Sequence, residues 1–206
     1  AQDNGFLRYT NGGTESWYQN QTGDGAYVGV DPFNNSTIYA SNQNLSLRRS
    51  TNGGNSYTFI GGNIPDTGIN NGVLFIAPFK LDPGQQSALT AGGKRIWRST
   101  NRGDSFFALR DSLASGTRCS AIQQAPSQTS QFYLGYADGT VSRNTNITPD
   151  WADINSAAMP GAFVTDIAVN PTNPNDVIVS FSSFNGDALW RSFNAGASWT
   201  EISQGG

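Results

Sequence analysis

The sequence has no histidine and only one cysteine, Cys119. Without histidine, neither a Ser-His-Asp nor a Cys-His relay can be assembled, and a lone thiol makes no internal disulfide. No group of Cys, Asp and Glu has the spacing of a zinc site, and no loop alternates oxygen ligands as a calcium loop does. No metal and no cofactor is therefore expected. Charge is sparse as well: charged residues are 13% of the chain and the net charge is -3. That balance excludes a basic surface that tracks phosphates, so nucleic acid is not an expected partner. Long apolar runs are also missing. The best of them, Val73 to Pro78, has the length of a strand, against roughly 18 residues for a membrane helix.

Aromatics and turn formers take the place of charge. Twelve Phe, seven Tyr and five Trp supply much of the area that 206 residues can bury, and 24 Gly with nine Pro mark short strands between tight turns. One phrase recurs. RSTNGGNSY from Arg49 returns as RSTNRGDSF from Arg98 and RSFNAGASW from Arg191, with a stretched copy, RYTNGGTESW, from Arg8 and a decayed one, RNTNITPDW, from Arg143. A second phrase, VDPFNNSTIYA from Val30, returns from Leu81, Gln124 and Val169. Both keep a period of about 45 residues, the length of a propeller blade built from four short strands.

The fold expected is therefore all-β: a β-propeller, or part of one, with four full blades of four antiparallel strands preceded by a half blade. The divisions fall near 1–22 for the half blade, then 23–62, 63–112, 113–156 and 157–206. Expected strands are Ala26–Val30, Thr37–Ser41, Leu45–Arg49 and Tyr57–Ile60 in the first full blade. The second has Val73–Pro78, Ala88–Ala91, Arg95–Ser99 and Phe106–Leu109. Corresponding runs are Cys119–Gln124, Phe132–Gly135, Thr140–Arg143 and Trp151–Ile154, then Phe163–Val169, Val177–Phe181, Ala188–Ser192 and Trp199–Ile202. The half blade offers only Phe6–Arg8 and Trp17–Tyr18. Only Ser112 to Ser115 suggests a helical turn.

In the recurring phrase Gly13, Gly54, Gly103 and Gly196 stand where a hairpin turn demands positive φ. Asn11, Asn52, Asn101 and Asn194 can bond loop amides as Asx turns do. The hydroxyls of Ser56, Ser105 and Ser198 can close the loop from its far side. Trp17, Tyr57, Phe106 and Trp199 then cover the gap between blades, and Trp97 and Trp190 stack similarly. The phrase resembles the Asp-box, or BNR, repeat, with Asn mostly in place of Asp. With its flanks, VNPTNPNDVIV and LWRSFNAGASWTEI, it is similar to bacterial extracellular BNR propellers. More distantly it resembles sortilin ectodomains, xyloglucan-degrading propeller hydrolases, sialidases and a photosystem II assembly factor. The resemblance implies a blade fold, and it leaves activity open because those relatives include enzymes, receptors and chaperones.

Sialidase-like chemistry would need clustered arginines, whereas Arg8, Arg49, Arg98, Arg143 and Arg191 are blade positions spread around a ring. Xyloglucanase-like chemistry needs two carboxylates across a cleft. Asp24 and Asp166 are the candidates, each at or near an innermost strand, although Asp24 between two glycines also reads as a turn residue. Two glutamates, Glu15 and Glu201, adjoin box turns. The half blade lacks its two inner strands, so the rest of a longer propeller or another chain is expected to cover that edge. Low charge and abundant Asn, Ser, Thr and Gly fit an extracellular or cell-surface bacterial protein, and the start Ala1-Gln2-Asp3 suits a mature end after signal cleavage and equally a fragment boundary. The expected role is a non-catalytic module that binds protein or polysaccharide; the alternative is the propeller portion of a glycoside hydrolase. The box from Arg143, which has lost its glycines, is the one most open to recruitment for contact with a partner.

Overall fold

The computed structural model describes residues 3–9, 17–67 and 72–203. The half blade pairs β1 (Phe6–Tyr9) with β2 (Trp17–Gln21). The first full blade holds β3 (Gly25–Asp31), β4 (Asn34–Asn42), β5 (Ser46–Ser50) and β6 (Thr58–Phe59). The second holds β7 (Phe79–Leu81), β8 (Leu89–Gly92), β9 (Ile96–Ser99) and β10 (Phe107–Arg110). The third comprises β11 (Cys119–Ala125), β12 (Gln128–Tyr136), β13 (Val141–Asn144) and β14 (Ala152–Asp153), and the fourth β15 (Val164–Asn170), β16 (Asn173–Phe181), β17 (Leu189–Ser192) and β18 (Thr200–Glu201). Each blade is an antiparallel meander in which strands adjacent in sequence pair. Contact between blades runs from β3 to β7, from β7 and β8 to β11, and from β11 and β12 to β15.

One expected strand is displaced. Val73 to Pro78 does not pair; the innermost strand of the second blade is β7, immediately after it. The run is apolar because Val73 and Ala77 are buried in the core between the first two blades, while Phe75 and Ile76 stay exposed. Burial of an irregular segment gives the same composition as burial of a strand. Residues 112–115 form no helix, only a turn closed by Gly116 N–H on the Leu113 carbonyl. Two short 3-10 segments, Gln43–Leu45 and Gly61–Asn63, lie after β4 and β6.

The three full boxes fold alike. The Ser50 hydroxyl donates to Asn52 Oδ1 and accepts the amides of Asn52 and Gly54, the latter at 2.8 Å. Asn52 Oδ1 then accepts the Ser56 amide, and its Nδ2 donates to Ser56 Oγ. Ser99, Asn101, Gly103 and Ser105 repeat every bond, as do Ser192, Asn194, Gly196 and Ser198. The leading serine, which stands after the arginine in each full copy, opens the recurring motif, but sequence reasoning gave its hydroxyl no role. Gly54, Gly103 and Gly196 have φ of +85°, +86° and +89°. In the box from Arg143, Asn144 replaces that serine. Its side chain accepts the amides of Asn146 and Ile147 and donates to the carbonyls of Thr148 and Asp150. This box keeps its folding role by another set of bonds. Asn11 and Gly13 of the first box lie outside the described residues.

The boxes also make the seams between blades. The repeated arginine of one blade reaches forward to the box of the next: Arg49 Nη1 donates to the Arg102 carbonyl and to Asp104, Arg143 Nη1 to the Ala195 carbonyl, and Arg8 Nη1 to Asn55. Box aromatics reach back. The Trp199 indole N–H donates to the Ile154 carbonyl, and Trp151 to that of Leu109. Phe106 packs into the cluster between the first two blades. Trp97 and Trp190 pack in the clusters between blades as well, while their indole N–H groups bond Asp66 and the Asp187 carbonyl within their own blades. Trp17 is 62% exposed and tilts against Tyr9.

Apolar side chains fill three seams, for example Leu47 and Phe79 in the first, Leu109 and Ile122 in the second, Val164 and Trp190 in the third. Each such burial is worth about 2 kcal/mol. Cys119 belongs to the second seam and is fully buried; burial pushes its thiol up to about 12. The thiolate is the reactive form. The folded protein is therefore expected to leave an aromatic disulfide reagent unconsumed at pH 8 and to release one equivalent of chromophore on unfolding. Rapid release from folded protein would contradict the seam.

Candidate functional site

Asp24 lies in the loop that enters β3. Its Oδ1 accepts the Asp3 amide at 2.9 Å, its own amide donates to Gln43 Oε1, and its carbonyl accepts the Gln43 amide. The residue thus ties the start of the half blade to the β4–β5 connection of the first full blade. Asp166 is the third residue of β15 and is exposed. Its Oδ1 accepts the amide of Ile167, and its carbonyl accepts the Ser180 hydroxyl. Burial, then the Asp166 carboxylate, then Cys119 raise the pKa of the Tyr27 phenol, so Asp166 belongs to the same electrostatic neighbourhood as β3.

Two clefts lie elsewhere. One of about 290 Å³ opens between the half blade and the first full blade, with Phe6, Arg8, Val28, Val30 and Tyr57 among its lining residues. Val28 and Val30 are about half exposed there. The other, about 320 Å³, is polar and runs from Ser115 to Arg118 and across to Asp138. Burial opposes ionisation of Asp138, yet hydrogen bonds from Thr140 and Ser115 hold its carboxyl below the usual carboxylate range. Neither Asp24 nor Asp166 lines either cleft.

The repeated arginines stand on successive sheets and are spent on box loops or on acids of their own blade. Glu201 accepts the amide and hydroxyl of Ser203, and Glu15 lies outside the described residues. Among the described residues no three His, Cys, Asp or Glu side chains converge as a metal site, and no helix is long and apolar enough to cross a membrane.

No family model matches the sequence, and no curated protein matches it. Solved structures do. A GH74 enzyme from Niastella koreensis is 25% identical, with a TM-score of 0.66 over 84% of this chain and 28% of that one. The GH74 xyloglucanase from Xanthomonas campestris is 18% identical, with a TM-score of 0.68 over 87% of this chain and 30% of that one. YCF48 bound to a D1 peptide is 11% identical, with a TM-score of 0.57 over 85% and 52%. The chain is a partial β-propeller. It spans less than a third of the length of the two GH74 enzymes. The cleft beside Val28 and Val30 lies against the half blade, in which two strands pair among the described residues.

Proposed function

We propose that this partial propeller is a non-catalytic, extracellular binding segment of a longer protein, holding a protein or polysaccharide on a rigid array of blades. The carrying observation is the engagement of Asp24, whose carboxylate accepts the Asp3 amide and so acts as a joint between half blade and blade. A glycosidase needs two free carboxylates facing each other across a cleft, roughly 5 to 10 Å apart. Asp166 without Asp24 supplies one. The polar recess at Ser115–Arg118 and Asp138 offers hydrogen-bonding groups of the sort that fix ligands in place. The peptide carried by YCF48 supports a protein ligand for this architecture.

A second reading, the propeller portion of a glycoside hydrolase, is favoured by the 25% identity to the Niastella koreensis enzyme. The two part in one assay. Wild type, Asp24→Asn and Asp166→Asn are incubated with a panel of β-glucans and xyloglucan, and new reducing ends are counted. All three are expected to stay at the level of the blank. Release by wild type that Asp166→Asn abolishes would replace the binding reading with the hydrolase.

A further inference from the structure

The blade-to-blade contacts follow a direction, and the fourth blade breaks off in the middle of it. Two positions on every blade face the next one. The first stands two residues before the repeated arginine. It is occupied by Phe6, Leu47, Ile96 and Val141, at 6%, 0%, 0% and 0% exposure, and then by Leu189 at 38%. The second ends the outer strand. Ile60 and Leu109 are 6% and 3% exposed there and Ile154 packs in the third seam, whereas Ile202 is 41% exposed. The backbone is not the cause. Ile202 N–H bonds the Leu189 carbonyl just as Ile60 bonds Leu47 and Ile154 bonds Val141. The same sequence pattern is buried in each earlier blade and bare in the last.

The arginine tells the same story. Arg49 and Arg143 donate from Nη1 to the box residue just ahead of the glycine, Arg102 or Ala195. That residue has left-handed φ in both boxes, which turns its carbonyl outward. Arg191 uses Nε and Nη2 on Asp176, stacks over Phe193 at 4.2 Å, and makes no hydrogen bond from Nη1 among the described residues. Asp176, itself held by Asn170, takes Nε and Nη2 together, which fixes the guanidinium and leaves Nη1 as its uncommitted end.

We infer that the face formed by Leu189, Arg191 and Ile202 docks a further blade of the same polypeptide, carrying the same box. Its box presents a main-chain carbonyl to Arg191 Nη1. Its box aromatic covers Ile202, as Trp199 covers Ile154. This rests on the reading of the chain as a segment of a longer propeller and adds which face continues it, in which direction and through which groups. An apolar surface of this kind on a blade edge without a cover is a site for association.

The test appends a copy of residues 157–203 after residue 203, supplying a blade with an intact box. Ile202→Cys in the native blade is the probe, since buried Cys119 stays silent. Maleimide labelling is expected to be fast in the 206-residue chain and at least tenfold slower in the extended chain, with much of the speed regained on adding Arg191→Ala. Equal rates in the two chains overturn the proposal. So does slow, concentration-dependent labelling of the 206-residue chain, which would make a second copy the occupant. Circular dichroism of the extended chain establishes that it folds. A second arm needs no extension: Ile202→Ser and Phe193→Ser are expected to leave the thermal midpoint of the 206-residue chain unmoved, and a clear drop in both means the face is already covered. None of these results depends on whether the protein binds or hydrolyses polysaccharide.

Discussion

Arg98→Ala is expected to destabilise the protein by about 3–5 kcal/mol, the usual cost of leaving one partner of a buried ion pair uncompensated. Arg98 and Asp82 are each 1% exposed and meet at 2.5 Å. The guanidinium also donates to Gln85 and Thr90 and lies over the Phe132 ring of the next blade. From that next blade Gln124 donates to the same Asp82 oxygen. Deleting the cation therefore strands a carboxylate in the second seam and removes packing against Phe132. Lysine should not rescue, because a single ammonium cannot serve Asp82, Gln85 and Thr90 together or lie flat on an aromatic ring. Arg191→Ala removes the equivalent residue from the edge face, where its partner Asp176 keeps the bond from Asn170, and is expected to cost far less. Urea unfolding followed by tryptophan fluorescence ranks the two. The account fails if they fall within about 1 kcal/mol of each other.

The box glycines give the second large effect. Gly103 has φ +86°, and a methyl there would overlap Ile60 Cδ1 of the preceding blade. Left-handed strain of about 1–2 kcal/mol and overpacking of about 1–3 kcal/mol add, so Gly103→Ala should lose about 2–5 kcal/mol. Gly53 also has positive φ, but a methyl there meets nothing within 4 Å. Its counterparts Arg102, Ile147 and Ala195 already hold side chains at φ 64°, 54° and 58°. Gly53→Ala is expected to cost about 1 kcal/mol or less. Trimming Ile60 to Val in the Gly103→Ala background should recover part of the loss, because the overlap is with Cδ1 and the next nearest Ile60 atom is 3.5 Å away. At Gly196 the same trimming should do less, since Ile154 Cβ itself stands 2.9 Å from the new methyl. Thermal midpoints of these variants and of Ile60→Val alone measure this; lack of coupling between Gly103 and Ile60 would refute the seam contact.

These seams show why the blade pattern could be read from the sequence and the seam partners could not. The meanders were legible because two phrases share one period, and turn residues act locally, within a few positions of themselves. The misplaced strand was legible too, had the second phrase been given more weight. In the first and fourth blades the inner strand ends at the residue before proline, Asp31 or Asn170, and the same rule applied to Pro83 points to an end at Asp82, one residue past the observed end of β7 at Leu81. Apolarity misled at residues 73–78 because an irregular segment is buried there. The arginines recur visibly, but recurrence does not say whether a guanidinium reaches forward, as Arg49 does, or stays with an acid of its own blade, as Arg98 does. That choice depends on what the next blade presents. Asp24 and Asp166 were chosen for nearness to inner strands, which strand order reveals; that Asp24 is engaged by Asp3 depends on how the half blade meets the first blade.

The detour taken by Arg98 bears on how such a molecule can grow or shrink by whole repeats. The boxes of the second and fourth blades offer their predecessors the same carbonyl, so those two fittings are interchangeable. The third blade has given up that standard fitting, and the second has acquired Asp82, Gln85 and an inward-turned arginine to meet it through Gln124 and Phe132. Shuffling either one alone would leave buried charge facing the wrong neighbour. Strands β7 to β14 should therefore be inherited, duplicated or lost together, as a two-blade cassette within a chain of otherwise single-blade units.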